Sequence, residues 1–311
     1  MFDPAFKSPH LQLFATYLIP SGKNPPSVIE KVDIGHGDFL ICPVSTPQDY
    51  NGETVYLVHG MGGNSNSPYM RRIARKLFNL NYRVVRLNLR NCGIGEGYSS
   101  LPYNGGTSDD LKKVIKHFGN KGIVVGFSLG GNIAIKMAGE NPDLEVDIIG
   151  VCPALNLKDA VDKIQSTLYH YYFLYYLLQS TKPWTRDKAI RSINQFDNEV
   201  TAPLWGYKDA NDYYSRASSL QYIPNLKQQI TVIFAKDDPF IDYCCLKDEK
   251  RHRVILTEHG SHMGFVDKGF NFWIDDFVVD TIRNGSKAGM KDKDVVEKPA
   301  KIDLNVACDN F

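Results

Sequence analysis

The sequence predicts an α/β fold: a mostly parallel central sheet, helices on both faces, and a helical cap inserted late in the chain. Three observations carry that expectation. Short β-rich apolar runs alternate with amphipathic helical stretches, the order that builds parallel strands through helical crossovers. A serine flanked by glycines sits where one such run meets a helical pattern. The alternation then breaks over residues 155–226, a stretch far longer than the few residues of an ordinary crossover loop.

Taken in order, residues 28–44 read as two strands joined near Gly35-His36-Gly37, a hairpin. The run 54–58 is a buried strand, and 69–78 (YMRRIARKLF) is a helix because Met70, Ile73, Ala74, Leu77 and Phe78 form one apolar stripe. A strand at 83–87 follows. Residues 108–118 open on Ser-Asp-Asp, a favourable helix start, and stop before Gly119. Strands at 122–126 and 147–151 flank a helical pattern at 132–139. Beyond 155–226, strands at 230–234 and 253–256 lead to a last helix at 271–283. Inside the long excursion, 168–178 (LYHYYFLYYLL) is almost wholly aromatic and aliphatic. Aromatic burial favours a buried helix there; the alternatives are a wall over an acyl pocket or a transient contact with a lipid surface. Residues 284–311 hold five lysines and five acids with almost no aromatics, so a flexible polar tail is expected and the folded body is 1–283.

Composition narrows the function. With 36 Lys+Arg against 35 Asp+Glu the formal charge is +1, so no global field holds a nucleic acid. The six cysteines make neither CxxC nor a zinc spacing. Cys244 and Cys245 are adjacent, and neighbours rarely bridge; free thiols in a reducing compartment, and so a cytoplasmic location, are the simplest expectation. No basic-then-apolar leader and no run of about 18 apolar residues is seen, so neither a signal peptide nor a transmembrane segment is expected.

Gly126-Phe127-Ser128-Leu129-Gly130-Gly131 is G-x-S-x-G between a strand and a helix. Small residues two positions to either side let a sharp turn lift Ser128 above the sheet end. The helix N-terminus and the Leu129 N–H then face a developing oxyanion. Val58-His59-Gly60-Met61-Gly62-Gly63 closes the 54–58 strand, and its Met61 N–H is the expected second oxyanion donor. His59 reads as a structural residue of that loop. The acid is expected after the 230–234 strand, where Asp237 and Asp238 compete; Asp238, just before Pro239, suits the loop better. The base is expected after the 253–256 strand, where His259 and His262 compete. His262, set in Gly-Ser-His-Met-Gly-Phe, suits a loop that swings its ring toward the serine. Gly93-Ile94-Gly95-Glu96-Gly97 lacks the full dinucleotide-loop spacing and reads as a loop.

With these residues in place, the sequence resembles the α/β-hydrolase superfamily, and within it the YheT-like group of abhydrolase-domain lipase and esterase relatives. The matching pieces include Pro9-His10-Leu11-Gln12, His59 to Ser65, Arg86-Leu87-Asn88-Leu89-Arg90 and the GFSLGGN serine turn. Further on they include Phe196-Asp197, Val200 to Asp209, Ala235 to Phe240, and Gly260 to Phe265. The resemblance implies the α/β-hydrolase fold and a Ser-Asp-His esterase that needs no metal or organic cofactor. Relatives act on carboxylic esters, including acylglycerols and phospholipids. Leu13 and Asn91 stand where relatives often have Thr and Gly, changes that leave Ser128, Asp238 and His262 untouched. The expectation is therefore a serine hydrolase that cleaves a small-molecule acyl ester through an acyl-enzyme. Its rivals are thioester or amide hydrolysis on the same triad, and a binding protein that kept the fold.

Overall fold

The computed structural model describes residues 2–246 and 249–285. A short helix α1 (Pro9–Leu18) precedes the hairpin β1 (Val28–Gly35) and β2 (Asp38–Ser45). Then come β3 (Thr54–Val58), α2 (Pro68–Phe78), β4 (Arg83–Arg86), α3 (Ser108–His117), β5 (Lys121–Phe127), α4 (Leu129–Glu140) and β6 (Glu145–Val151). The excursion follows as α5 (Leu157–Gln165), α6 (Tyr169–Ser180), α7 (Lys182–Thr185), α8 (Ile193–Phe196), α9 (Ala202–Trp205) and α10 (Ala210–Ala217). The chain returns through β7 (Ile230–Ala235), β8 (Arg253–Thr257) and α11 (Trp273–Asn284).

Eight strands form one sheet in the order β1-β2-β4-β3-β5-β6-β7-β8. The β1–β2 and β2–β4 pairs are antiparallel and every other pair is parallel. Every residue of β3 and of β7 is buried, as expected of strands covered on both faces. Two apolar clusters sandwich the sheet. One gathers α3, α4 and the excursion with Tyr56, Val124 and Val232; the other gathers α2 and α11 with Leu57, Val125 and Ile233. Neighbouring residues of one strand fall in opposite clusters, the period-two alternation of a pleated strand.

The excursion is tied to the sheet by polar contacts as well as by packing. Arg90, just beyond β4, forks onto Asp110 with Nε at 2.6 Å and Nη2 at 2.9 Å, and also pairs with Asp38. The Trp205 ring lies 5.2 Å from its guanidinium carbon, and Trp205 Nε1 donates to the Pro102 carbonyl at 3.1 Å. Asn132 on α4 donates to the carbonyls of Gly105 and Ala217 and accepts from the Ser219 N–H, so one buried amide fastens the end of α10 to the helix behind the serine.

Two expectations need correction. Helix α6 is not a buried helix: only His170, Leu174 and Leu177 are buried, whereas Tyr171 is 70% and Tyr175 57% exposed. Apolar residues fill nearly all of its circumference, and a helix lying across a site mouth covers only part of that with protein. Cys244 is disulfide-bonded, whereas Cys42, Cys92, Cys152 and Cys245 are free. The tail expected from 284 onward lies outside the described residues except for Asn284 and Gly285. Among the described residues no helix is long and apolar enough to cross a membrane.

Candidate active site

Strand β5 delivers Ser128 into a turn with φ 52° and ψ −116°, a conformation costly for an L-residue and worth about 1–3 kcal/mol of strain. Four backbone hydrogen bonds hold it there: the Ser128 N–H donates to Val151 at 2.9 Å, and its carbonyl accepts from Gly131, Asn132 and Ala154. The flanking glycines are required by contact rather than by their own φ. A Cβ on Gly126 would lie 2.4 Å from the Gly130 oxygen, and one on Gly130 would lie 2.2 Å from the Val58 oxygen. The turn can therefore lie against both the following helix and the neighbouring strand only with hydrogen at these positions.

Asp238 and His262 come from the loops after β7 and β8, adjacent parallel strands whose ends lie side by side. Asp238 Oδ1 accepts from the N–H groups of Phe240 at 2.8 Å and Ile241 at 3.2 Å. That fixes the carboxylate and leaves Oδ2 to take the His262 Nδ1, 2.8 Å away, with both side chains buried. The His262 ring also meets Phe240 edge-on at 5.1 Å. Asp237 does different work: its Oδ1 accepts from the Ser261 N–H at 2.8 Å, and its Oδ2 lies 3.4 Å from His259 Nδ1. Burial pushes the Asp237 carboxyl up. The loop it anchors is strained on both sides of His262, with positive φ at Ser261 and Met263.

The loop after β3 is organised by two tyrosines. The Gly60 N–H donates to the Tyr69 hydroxyl and the Gly62 N–H to the Tyr103 hydroxyl, each at 3.1 Å. Between them, the Met61 N–H has no acceptor among the described residues, and neither has the Leu129 N–H at the start of α4. Gly62 has φ +70°, and a Cβ there would sit 3.1 Å from Tyr176 Cβ, so α6 rides directly on this loop. His59 serves the same loop from below. Its Nε2 accepts from the Leu89 N–H at 3.1 Å, which puts the proton on Nδ1, donating to the Gly60 carbonyl at 2.8 Å. Complete burial pushes its pKa down to about 4, so the ring is neutral near pH 7.

Ser128, His262 and Met61 line one cavity of about 400 Å³, walled by Tyr169, Tyr172 and Phe173 of α6 and by Phe240. A larger open depression of about 590 Å³ beside Lys158, Asp162 and His170 contains none of these groups. Among the described residues, the ligand atoms of Cys152, Asp238 and His262 are the one trio close enough for a metal, within 4.8 Å of one another. They fit a metal poorly. Burial, and then the Asp238 charge, push the Cys152 thiol well up, and Asp238 and His262 already face each other. The sequence reading did not identify α1, the two loop tyrosines, Cys152 behind the Asp–His pair, or Arg72 in the cavity wall. Only Tyr69 and Arg72 had a local signal, lying on a strongly amphipathic helix, and that pattern says nothing of the loop or cavity beyond it.

The strand order, the serine turn between β5 and α4, and the loops after β3, β7 and β8 are those of the α/β-hydrolase fold. A family match described as the alpha/beta hydrolase fold covers residues 53–165. The chain is similar in sequence to relatives named as an esterase and a lipase. It is 29% identical over 289 residues to the YheT protein of Escherichia coli (strain K12), spanning 84% of this chain and 85% of that one. It is also 29% identical over 252 residues to the monoacylglycerol lipase of Saccharomyces cerevisiae, covering 70% of this chain but only 56% of the yeast protein. In three dimensions it matches the Pyrococcus furiosus esterase Pf2001 with a TM-score of 0.59 over 86% of this chain and all of that one; at 15% identity this likeness concerns the fold alone.

Proposed function

We propose that the chain is a serine hydrolase of carboxylic esters acting through an acyl-enzyme. In this reading Ser128 is the nucleophile and His262 its general base. Asp238 orients the imidazole and balances its charge, and the Met61 and Leu129 N–H groups receive the oxyanion. The observation that carries it is the buried Asp238–His262 pair opening, with Ser128, into one apolar cavity. Histidine with Nδ1 held by a carboxylate presents Nε2 as the free base, the tautomer that proton transfer from a serine needs. Residues 1–283 then act as one domain with 155–226 as its cap, because nucleophile, acid and base are spread across 128, 238 and 262. A small-molecule acyl ester is the substrate. The aromatic face of α6 supports a medium or long acyl group, as do the esterase and lipase names of the relatives.

A fluorophosphonate probe tests the reading directly. The intact protein should label and Ser128→Ala should not; no labelling of the intact protein would overturn the activated serine. A series of p-nitrophenyl esters of graded length then reads the acyl pocket, and a rate that peaks at acetate would overturn the preference for a longer chain.

A further inference from the structure

Met61 sits among Gly60, Gly62 and Gly63, so the loop that carries its N–H has little stiffness of its own. The Gly63 N–H closes a β-turn onto the Gly60 carbonyl at 3.1 Å, with Gly62 inside it at φ +70°. The Met61–Gly62 peptide at the centre of that turn is held from outside: the Gly62 N–H donates to the Tyr103 hydroxyl at 3.1 Å. Tyr103 is only 4% exposed, and its segment is pinned by three other elements. Trp205 Nε1 of α9 donates to the Pro102 carbonyl at 3.1 Å, the Gly105 N–H donates to the Tyr213 hydroxyl of α10 at 2.8 Å, and Asn132 of α4 donates to the Gly105 carbonyl at 2.9 Å. A Cβ on Gly105 would lie 3.0 Å from Leu129 Cδ1, so the same segment also packs against Leu129 at the start of α4.

We propose that Tyr103 is a positioning residue for the oxyanion site: its hydroxyl holds the Met61 N–H in place through Gly62 and passes the seating of the excursion on to it. This rests on the ester-hydrolase reading of Ser128. The central peptide of such a turn can rotate while the closing hydrogen bond stays made, because glycine at the third position accepts either sign of φ. The bond from Gly62 to Tyr103 selects one orientation. Met61 shares its Cα with that peptide, so releasing the peptide loosens the Met61 N–H as well. A donor out of place loses much of its hold on a developing oxyanion, whereas a bound ester held by its apolar parts does not depend on it. Pro102 and Gly105 are tied to α9 and α10, so an excursion out of place displaces Tyr103 too.

Kinetics of p-nitrophenyl butyrate hydrolysis by Tyr103→Phe, which removes one oxygen and keeps the ring, test this. kcat should fall about tenfold while KM changes about twofold or less, less than the loss of a whole oxyanion donor because the Met61 N–H is still present. A trifluoromethyl hexyl ketone reads the same donors without turnover. Ser128 Oγ bonds to its carbonyl carbon, the serine proton passes to His262, and the electron pair of the broken C=O π bond stays on oxygen as the oxyanion. Its inhibition constant should weaken about tenfold in Tyr103→Phe, in step with kcat. Trp205→Phe, which removes the donor to Pro102, should lower kcat about threefold at unchanged KM, and should cost nothing further in the Tyr103→Phe background. Trp205→Phe stands by itself should Tyr103→Phe lack a cooperative thermal transition. Variants with the parent's kcat and ketone affinity, a loss carried by KM, or a Trp205→Phe loss of equal size in both backgrounds would overturn the proposal. A parent that neither hydrolyses the ester nor binds the ketone would overturn the hydrolase reading and this proposal with it; a parent that does both, with variants that match it, counts against Tyr103 alone.

Discussion

At the scale of single residues, two adjacent carboxylates separate by what each one holds. Asp238 carries two backbone N–H bonds on one oxygen and His262 on the other, while Asp237 holds the backbone of the histidine loop at Ser261. Replacing Asp238 by Asn puts a donor where the His262 Nδ1 proton must be accepted and so favours the wrong tautomer. Asp238→Asn should therefore lower kcat/KM for a p-nitrophenyl ester by roughly 10²–10⁴-fold. Asp237→Asn keeps an oxygen for the Ser261 N–H and should cost about tenfold or less, chiefly through loop placement. Steady-state rates of the two variants decide between them, and the reverse ranking would make Asp237 the triad acid.

At the scale of elements, the serine turn and α6 show two kinds of constraint. In the turn, strand and helix lie so close that a single methyl meets backbone. Gly130→Ala places its Cβ against the Val58 and His59 carbonyls, which no side-chain rotation relieves. A loss of about 3 kcal/mol or more is expected, read as a lowered thermal midpoint. Gly97→Ala is the control: its φ is +81° but nothing lies within 4 Å of a Cβ there, so only the backbone penalty of about 1 kcal/mol applies. Equal losses would mean that packing does not restrict the turn. Helix α6 is bound by chemistry instead. Phe173 meets Phe240 edge-on at 5.4 Å, and Phe240 in turn meets His262. Phe173→Ala should reduce kcat/KM for an octanoate ester about tenfold more than for an acetate, since only the longer chain reaches the lost ring. A uniform loss across chain lengths would place the acyl chain elsewhere.

At the scale of the whole molecule, two buried groups pull the pH dependence of stability in opposite directions. Asp197, in a π-helical stretch of the excursion, accepts from Thr201 and Tyr214, each at 2.8 Å, yet burial pushes its carboxyl from 3.8 up to about 7. The folded chain keeps a proton that the unfolded chain has lost, so this group's contribution is present at low pH and is lost as pH rises from 3.8 to about 7. His59 is shifted from 6.5 down to about 4, so its contribution is present above 6.5 and is lost as pH falls toward 4. Between these limits the two slopes offset one another. Asp197→Asn removes one of them: compared with the parent, the variant should become relatively more stable as pH rises from about 4 to 7. Urea midpoints at pH 5 and 8 read the difference, and the same gap at both values would show that Asp197 does not titrate in this range.

The sequence by itself determined the alternation of strands and helices, the serine turn, and the order of Ser128, Asp238 and His262 along the chain. Each of these is a local signal: a run of β-branched residues, a G-x-S-x-G, a histidine between Ser and Met. It also placed the hairpin at 28–44 and every core strand within two residues of its observed ends. Tertiary structure alone decided which way α6 faces, because a helix apolar on nearly all sides carries no stripe to read. It alone showed that Tyr69 and Tyr103 hold the loop around Met61, that Cys152 lies behind the Asp238–His262 pair, and that Arg72 and Asp275, on helices some 200 residues apart in the chain, meet at the cavity wall. Such contacts depend on how elements pack across the sheet, and a residue's neighbours in sequence do not say which element will cover it.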